Sequence, residues 1–306
     1  VRRIIAIVLL VLGIVLVIAA PVIKFVAAPA LVKAPLSVNL TTVATGDSQV
    51  FLLSKQAVQT VPVLATRTVT GDKAAGTSSV AVYDEVLCLR TPTGAKATPD
   101  AFGCLPSTDP GFIQRTVDRI AFDRKTGLAV TDSGSYRTAV DGNAKIAHSG
   151  LGYTFPIDTG KRTYPFFDTV AGKAFDMQYV STQKIEGLTV YEFRQTVPAT
   201  PIKINGLLPG TYTDVRTVWV EPTTGIIIKG SEDISQVFTS GGMTAFKGTL
   251  TFNDASVTSQ AKFTKDQLAQ VDAIRTYLPV GALVLGLVLM IIGWFMLHRR
   301  QSRSQT

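Results

Sequence analysis

From Leu278 to Leu297 the chain runs for twenty residues without Asp, Glu, Lys, Arg or His. At ~1.5 Å per helical residue, such a run just crosses a ~30 Å hydrocarbon layer. Tyr277 stands at one end and Trp294 near the other, where amphipathic rings favour the head-group region. His298, Arg299, Arg300 and Arg303 follow at once, and the positive-inside rule assigns such a tail to the cytoplasm. A buried core helix is a poor alternative for an uncharged run of this length that stops on paired arginines. Residues 277–297 are therefore read as a transmembrane helix and 298–306 as a basic cytoplasmic tail.

A second uncharged run, Ile4 to Ile23, follows Arg2 and Arg3. A signal peptide has a shorter apolar region, usually about 7–15 residues, and then a small-residue cleavage site. Here the run is longer, and Pro21 follows the early small pair Ala19-Ala20. Residues 1–23 are read as a retained transmembrane helix with a short cytoplasmic start. Both termini then lie in the cytoplasm of a two-pass plasma-membrane protein, with its main domain, 24–263, outside the cell.

That topology explains the charge. The chain carries a net +8, yet five of its basic side chains belong to the two ends, and all 22 acids lie between the apolar runs. The high pI is a topology signal and not the clustered basic face of a nucleic-acid binder. Cys88 and Cys104 are the only cysteines and both fall in the outer region, where an oxidising compartment favours a disulfide. No His or carboxylate partners stand at ligand spacing around them, so no metal site is expected, and no cofactor.

The outer region reads as β. Val, Thr, Ile, Tyr and Phe dominate, with Gly, Pro, Asp and Ser as punctuation. Phe246, Gly248, Leu250 and Phe252 alternate with Lys247, Thr249, Thr251 and Asn253, the pattern of an antiparallel strand with one covered face. The fold class is a mainly β extracytoplasmic domain of antiparallel sheets, sandwich or barrel-like, between the terminal helices. Residues 24–35 read as a connector in which Pro21, Pro29 and Pro35 stop the first helix. Thr264 with Gln267 matches a capping box, opening an amphipathic juxtamembrane helix over 264–276. Pro279 predicts a bend just inside the second span. Ala282, Gly286 and Gly293, with Gly13 and Ala20 on the first helix, offer small faces for close packing.

Two hairpin turns share a pattern. Asp123-Arg124-Lys125-Thr126-Gly127 and Glu221-Pro222-Thr223-Thr224-Gly225 each place an acid before two variable residues and Thr-Gly. Turn chemistry accounts for both without a calcium or catalytic role.

Residues 153–168 form the most unusual stretch. Tyr153, Phe155, Tyr164, Phe166 and Phe167 surround Lys161 and Arg162, and Pro156 with Pro165 argues against an ordinary strand. One reading is a loop pinned into the core by its aromatics. The other is an aromatic and basic rim for an apolar ligand with an anionic head.

Catalytic patterns are lacking. The chain has two histidines, His148 and His298, and no nucleophile elbow, P-loop or dinucleotide fingerprint. Asp84 and Glu85 are adjacent, so on a strand they point to opposite faces. A non-enzyme is expected.

The end helices, Arg2-Arg3-Ile4-Ile5, the runs Gly152–Asp158 and Tyr164–Asp168, and Tyr191-Glu192-Phe193 together resemble a family of two-pass actinobacterial envelope proteins labelled "porin PorA family". The resemblance covers nearly the whole chain and brings no catalytic residues with it. The layout is also similar to that of scavenger-receptor class B proteins, whose β-rich outer domain encloses a lipid tunnel. The leading expectation is thus a non-enzymatic envelope protein whose outer domain binds or passes a lipid or other hydrophobic ligand. The alternatives are a channel-forming porin, as the family label implies, and a structural or sensory partner of an envelope complex. The expected partners are the membrane, a lipid or hydrophobic small molecule, and envelope proteins or further copies of the chain; no nucleic acid is expected.

Overall fold

The computed structural model describes residues 1–130, 139–140 and 147–298. The basic tail with Arg299, Arg300 and Arg303 lies outside the described residues. The chain divides into two units, Val1–Lys33 with Lys265–Thr306, and Ala34–Thr264.

The first unit is helical. Helix α1 (Arg2–Val22) passes through a π-turn, Ile23–Ala27, into α2 (Ala28–Leu31). The proline-broken connector expected from Lys24 onward is therefore wrong up to Leu31. The π-turn explains why. Ala28 N–H bonds Ile23 O, five residues back, so the backbone is widened immediately before Pro29. A proline ring normally collides with the carbonyl four residues back, and a wide turn moves that carbonyl aside. The second span repeats the device. Leu278 N–H bonds Ala273 O across the π-turn Ala273–Tyr277, and Pro279 opens the second turn's continuation, α4 (Leu278–His298).

Helices α1 and α4 pack through small residues spaced seven apart. Ala6, Gly13 and Ala20 are the buried positions of α1, and Pro279, Gly286 and Gly293 those of α4. A Cβ on Gly13 would stand 2.6 Å from Gly286 O, and one on Gly286 would stand 2.8 Å from Gly13 O. The backbones touch because neither residue has a side chain. Ala282, one of the expected small contacts, is only half-buried. The rest of both helices presents exposed Ile, Val, Leu, Trp and Phe, a surface that calls for lipid.

The second unit is one antiparallel sheet. Its strands are β1 (Asn39–Leu52), β2 (Ala57–Gly71), β3 (Val80–Arg90), β4 (Phe112–Asp123), β5 (Ala139–Val140), β6 (Tyr164–Asp168), β7 (Lys173–Ile185), β8 (Leu188–Ile204), β9 (Leu208–Val220), β10 (Ile227–Phe238) and β11 (Thr244–Phe252). The order across the sheet is β5-β4-β3-β2-β1-β11-β10-β9-β8-β7-β6. Each chain half is a meander, and the two halves join where β1 pairs with β11.

The sheet curls into a half-barrel. Six steps separate β4 from β9 in the strand order, about 29 Å in a flat sheet at ~4.8 Å per step. Yet Phe155 N–H bonds Gly225 O at 2.9 Å, in the turn after β9, and Ile157 N–H bonds Lys125 O at 2.8 Å, in the turn after β4. Leu151 links the two edges again, bridging Leu128 on one side and Phe166 of edge strand β6 on the other. Residues 150–159 thus span the open side.

Inner positions recur every second residue. Phe246, Leu250 and Phe252 of β11 face inward as their alternation predicts, in register with Val50 and Ala44 of β1. Three apolar clusters result. One gathers Leu151, Phe155, Tyr164, Phe166, Met177, Phe193, Val218 and Val220; a second Val38, Ala81, Tyr83, Ile120 and Phe122; a third Val50, Val63, Leu89, Phe246 and Leu250.

The helix expected at Thr264 begins ten residues earlier, as α3 (Asp254–Asp272). Asn253 caps it, its Oδ1 accepting Ser256 N–H at 2.9 Å. Thr264 lies inside the helix, fully buried, and its hydroxyl donates to Gln260 O at 2.8 Å. A Ser/Thr hydroxyl serves either a cap or a carbonyl one turn back, so a capping-box pattern inside a helix misleads. Cys88 and Cys104 form the disulfide, which joins the end of β3 to the loop after it.

Candidate functional site

The two acid-Thr-Gly turns are built alike and serve the half-barrel. Asp123 Oδ1 accepts the N–H groups of Lys125 at 2.9 Å and Thr126 at 2.8 Å. The Glu221 carboxylate accepts those of Thr223 at 2.9 Å and Thr224 at 2.8 Å. Gly127 (φ +69°) and Gly225 (φ +75°) then take the left-handed position. Both also let the bridging segment come close: a Cβ on Gly127 would stand 2.6 Å from Thr154 O, and one on Gly225 would strike Phe155 O. The shared pattern marks the two seats of residues 154–159.

Under that bridge the inner face carries charge. Midway along each of several strands, one or two inward positions that alternation makes apolar are instead polar. On β2 the inward series is Ala65, Arg67, Val69; on β3 Tyr83, Glu85, Leu87; on β4 Asp118, Ile120, Phe122; on β8 Phe193, Gln195, Val197; on β9 Asp214, Arg216, Val218; on β10 Glu232, Ile234. Register brings them into one layer. Glu85 stands opposite Asp118, and Gln195, Arg216 and Glu232 are successive partners across three strands.

Arg216 is the hub, with 8% of its surface exposed. Its Nε donates to Glu232 Oε1 at 2.8 Å, one terminal nitrogen to Gln195 Oε1 at 3.1 Å, and the other to Asp168 Oδ2 at 3.0 Å. Burial disfavours its charge, but Glu232, Asp168 and Asp214 outweigh that and hold its pKa well above the ordinary value. Tyr212 also donates to Asp168 Oδ2, at 3.0 Å. Arg67 joins the two sides of the layer, 3.4 Å from Glu85 and 3.9 Å from Glu232, the latter on the far side of β1 and β11. Burial pushes the Glu85 carboxyl up and Arg67 only partly offsets it. Burial works against ionised Glu232 too, but there Arg216 and Arg67 win and its pKa falls.

Beside them, Tyr153 O–H donates to Asp118 Oδ2 at 2.8 Å, and His148 Nε2 lies 2.8 Å from Asp118 Oδ1. Asp214 is the exception. It is 1% exposed, neither oxygen has a hydrogen-bond partner among the described residues, and the cation paired with it, Arg216, is 3.6 Å away. Burial pushes its pKa up to about 8 against the pull of Arg216, with Glu232 and Asp168 adding to the rise. Four carboxyl groups, Glu85, Asp168, Asp214 and Glu232, thus share two guanidiniums, and the raised pKa of Asp214 lets it take or release a proton near neutral pH.

The residues singled out in the sequence fall beside this layer. Phe155, Tyr164, Phe166 and Phe167 are buried, and Tyr153 is half-buried. Phe155 packs 4.7 Å from the Phe193 ring and 5.4 Å from Tyr164. Tyr164–Asp168 is a strand after all. Pro165 is accommodated because β6 is an edge strand, where an absent N–H costs little. Lys161 and Arg162 stay outside, Lys161 Nζ 5.1 Å from the Tyr191 ring centre and Arg162 5.0 Å from that of Tyr164. Asp84 and Glu85 diverge as strand geometry requires: Asp84 pairs outward with Arg119 at 2.7 Å, while Glu85 turns in. Among the described residues no group of three or more His, Cys, Asp or Glu is placed to hold a metal. Nothing at the level of motifs marks Arg67, Glu85, Asp118, Asp214, Arg216 or Glu232. Their one sequence signal is a charge at a position where the alternation demands an apolar side chain.

Comparison with known proteins supplies the family. Residues 5–295 match the family described as Porin PorA. A protein named "Porin PorA" from Corynebacterium resistens is 25% identical over 284 residues, covering 63% of this chain and 69% of the relative. Another of that name, from Corynebacterium amycolatum, is 25% identical over 249 residues, covering 60% of this chain and 64% of the relative. With a family match over nearly its whole length and an apolar helix pair to hold it in lipid, this chain is a membrane protein that belongs to the Porin PorA family.

Proposed function

We propose that this chain is a non-enzymatic, porin-type protein of the cell envelope that passes small polar solutes. The family match over residues 5–295 carries this reading. The structure supports a particular version of it. Barrel porins present an apolar band outward to lipid. Here the outward positions of β1, β2 and β11 include Thr41, Thr45, Asp47, Gln49, Thr60, Thr70, Lys247, Thr249 and Thr251. Such a face belongs in water. The membrane path in this reading is therefore made by helices, and because two helices enclose no lumen, by several copies of the chain. The helix pair crosses the plasma membrane twice, with the sheet unit outside the cell. The lipid-carrier reading ranks below this one, since the relatives are porins by name and the aromatics on which it drew mostly fill the core.

Planar-bilayer recording of the purified full-length chain tests the proposal. Stepwise, protein-dependent conductance is expected. Folded protein that inserts and assembles, yet leaves the bilayer silent at every concentration, would refute it.

A further inference from the structure

Four hairpins turn at the same end of the sheet, opposite to where the chain enters at Asn39 and leaves at Phe252. The register requires this: Val50 pairs with Phe246, Phe246 with Gln236, Gln236 with Tyr212 and Tyr212 with Thr200. The turns join β1 to β2, β6 to β7, β8 to β9 and β10 to β11. Their tips are apolar and bare. Leu53 is 79% exposed, Leu207 80%, Leu208 55% and Met243 41%. A tight turn ordinarily favours Gly, Pro, Asn, Asp or Ser, and nothing in turn geometry calls for leucine.

The hairpins themselves carry charges of one sign. Lys55, Lys173, Lys203 and Lys247 are exposed on these hairpins. No Asp or Glu occurs in residues 48–61, 169–175, 199–213 or 236–249. The loop between β3 and β4, at this end, adds the acids Asp100 and Asp109, which its own backbone N–H groups hold and which the hairpin lysines outnumber. Asp100 Oδ1 accepts N–H groups of Phe102 and Cys104, both at 2.9 Å, and Asp109 accepts those of Lys96 at 3.0 Å and Ala97 at 2.7 Å. Large apolar side chains on separate tips around the rim of a curled sheet form no pocket for a complementary protein. They are suited to a plane that is apolar beneath and anionic on top.

We propose that this end of the sheet docks on a lipid surface bearing anionic head groups. Leu53, Leu207, Leu208 and Met243 enter the edge of the hydrocarbon, and Lys55, Lys173 and Lys203 meet the head groups. The inference does not depend on the channel reading. It concerns a surface remote in the strands from the charged layer, and it holds or fails whether or not the chain conducts.

The test uses the full-length chain held by its helices in nanodiscs of phosphatidylcholine. These are floated with separate vesicles of phosphatidylcholine containing phosphatidylglycerol, or of phosphatidylcholine alone. Wild type is expected to float with the anionic vesicles, less so as salt is raised. Leu53→Ser with Leu207→Ser is expected to weaken flotation by roughly a hundredfold, about tenfold per leucine withdrawn from hydrocarbon. Lys55→Gln with Lys203→Gln is expected to remove most of the preference for phosphatidylglycerol. Leu53, Lys55 and Leu207 lie on exposed turns and Lys203 is exposed at the end of β8, and an unchanged melting temperature shows that the variants are folded. Failure of wild type to float with either vesicle, or equal flotation of wild type and the leucine variant, overturns the proposal. So does leucine-dependent pairing of nanodiscs in the absence of vesicles, which would make the tips a contact between copies.

Discussion

Replacing Asp214 by Asn isolates the orphan carboxyl of the charged layer. In the unfolded chain an Asp titrates near about 3.9. In the folded chain burial pushes Asp214 up to about 8. Below the unfolded value the group is neutral in both states and costs nothing through ionisation. As pH rises toward about 8 the unfolded chain ionises while the folded one keeps its proton, so stability falls by ~1.4 kcal/mol per pH unit. Above about 8 both states are ionised and the loss levels off. At pH 7 the accumulated penalty is on the order of 4 kcal/mol. Asn cannot ionise and escapes it, though its buried amide adds a pH-independent cost of about 1–3 kcal/mol. The expected signature is therefore a slope. Between about pH 5 and pH 7.5 the stability of Asp214→Asn relative to wild type should climb by up to about 3 kcal/mol. Glu85, also pushed up by burial, keeps its share of the wild-type slope in both proteins. Glu232 is shifted downward, so its contribution is lost only as pH falls through its lowered folded value, below this window. Thermal or denaturant melts of the full chain in detergent at several pH values measure the difference. A stability difference between the two proteins that stays constant from about pH 5 to 7.5 refutes the assignment of a raised pKa to Asp214.

Other outcomes follow from the same geometry. Phe155→Ala should cost about 3–5 kcal/mol, because the ring is fully buried between Phe193 and Tyr164. Lys161→Ala with Arg162→Ala should cost only about 1–2 kcal/mol, the scale of two exposed cations over tyrosine rings; melts of the two variants side by side check the contrast. Cys88→Ser with Cys104→Ser should lower stability by about 3 kcal/mol on the loop-entropy account, and mass mapping without reductant should find the two cysteines linked in the wild type. Reporters active only in the cytoplasm, fused to either terminus, should both give signal, and silence at one end would rule out the two-pass topology.

Much of the local architecture was legible because it rests on short-range rules. Twenty uncharged residues are long enough for a membrane helix whatever surrounds them, and the alternation at Phe246–Asn253 fixes which face of that strand is covered. The acid-Thr-Gly pattern states its own turn chemistry, since the acceptor, the donors and the left-handed residue are five neighbours in sequence. The local rules failed where another constraint prevailed. Pro29 did not stop a helix, because a π-turn widened the backbone ahead of it. Thr264 did not cap one, because Asn253 had already done so. Pro165 did not exclude a strand, because β6 runs at an edge.

What the sequence by itself determined is the division of the chain into two apolar helices and an antiparallel β unit, the pairing of its two cysteines, and the faces its strands bury. What only the tertiary structure decided is the charged layer. Arg67 and Glu232 lie 165 positions apart in the chain and come within 3.9 Å only because the sheet curls. A strand's alternation shows that an inward charge is anomalous, but not which distant charge answers it. That pairing is set by strand order, register and curvature, which are properties of the sheet as a whole. For the same reason the apolar hairpin tips, dispersed over 190 residues from Leu53 to Met243, become one surface only once the register has aligned them.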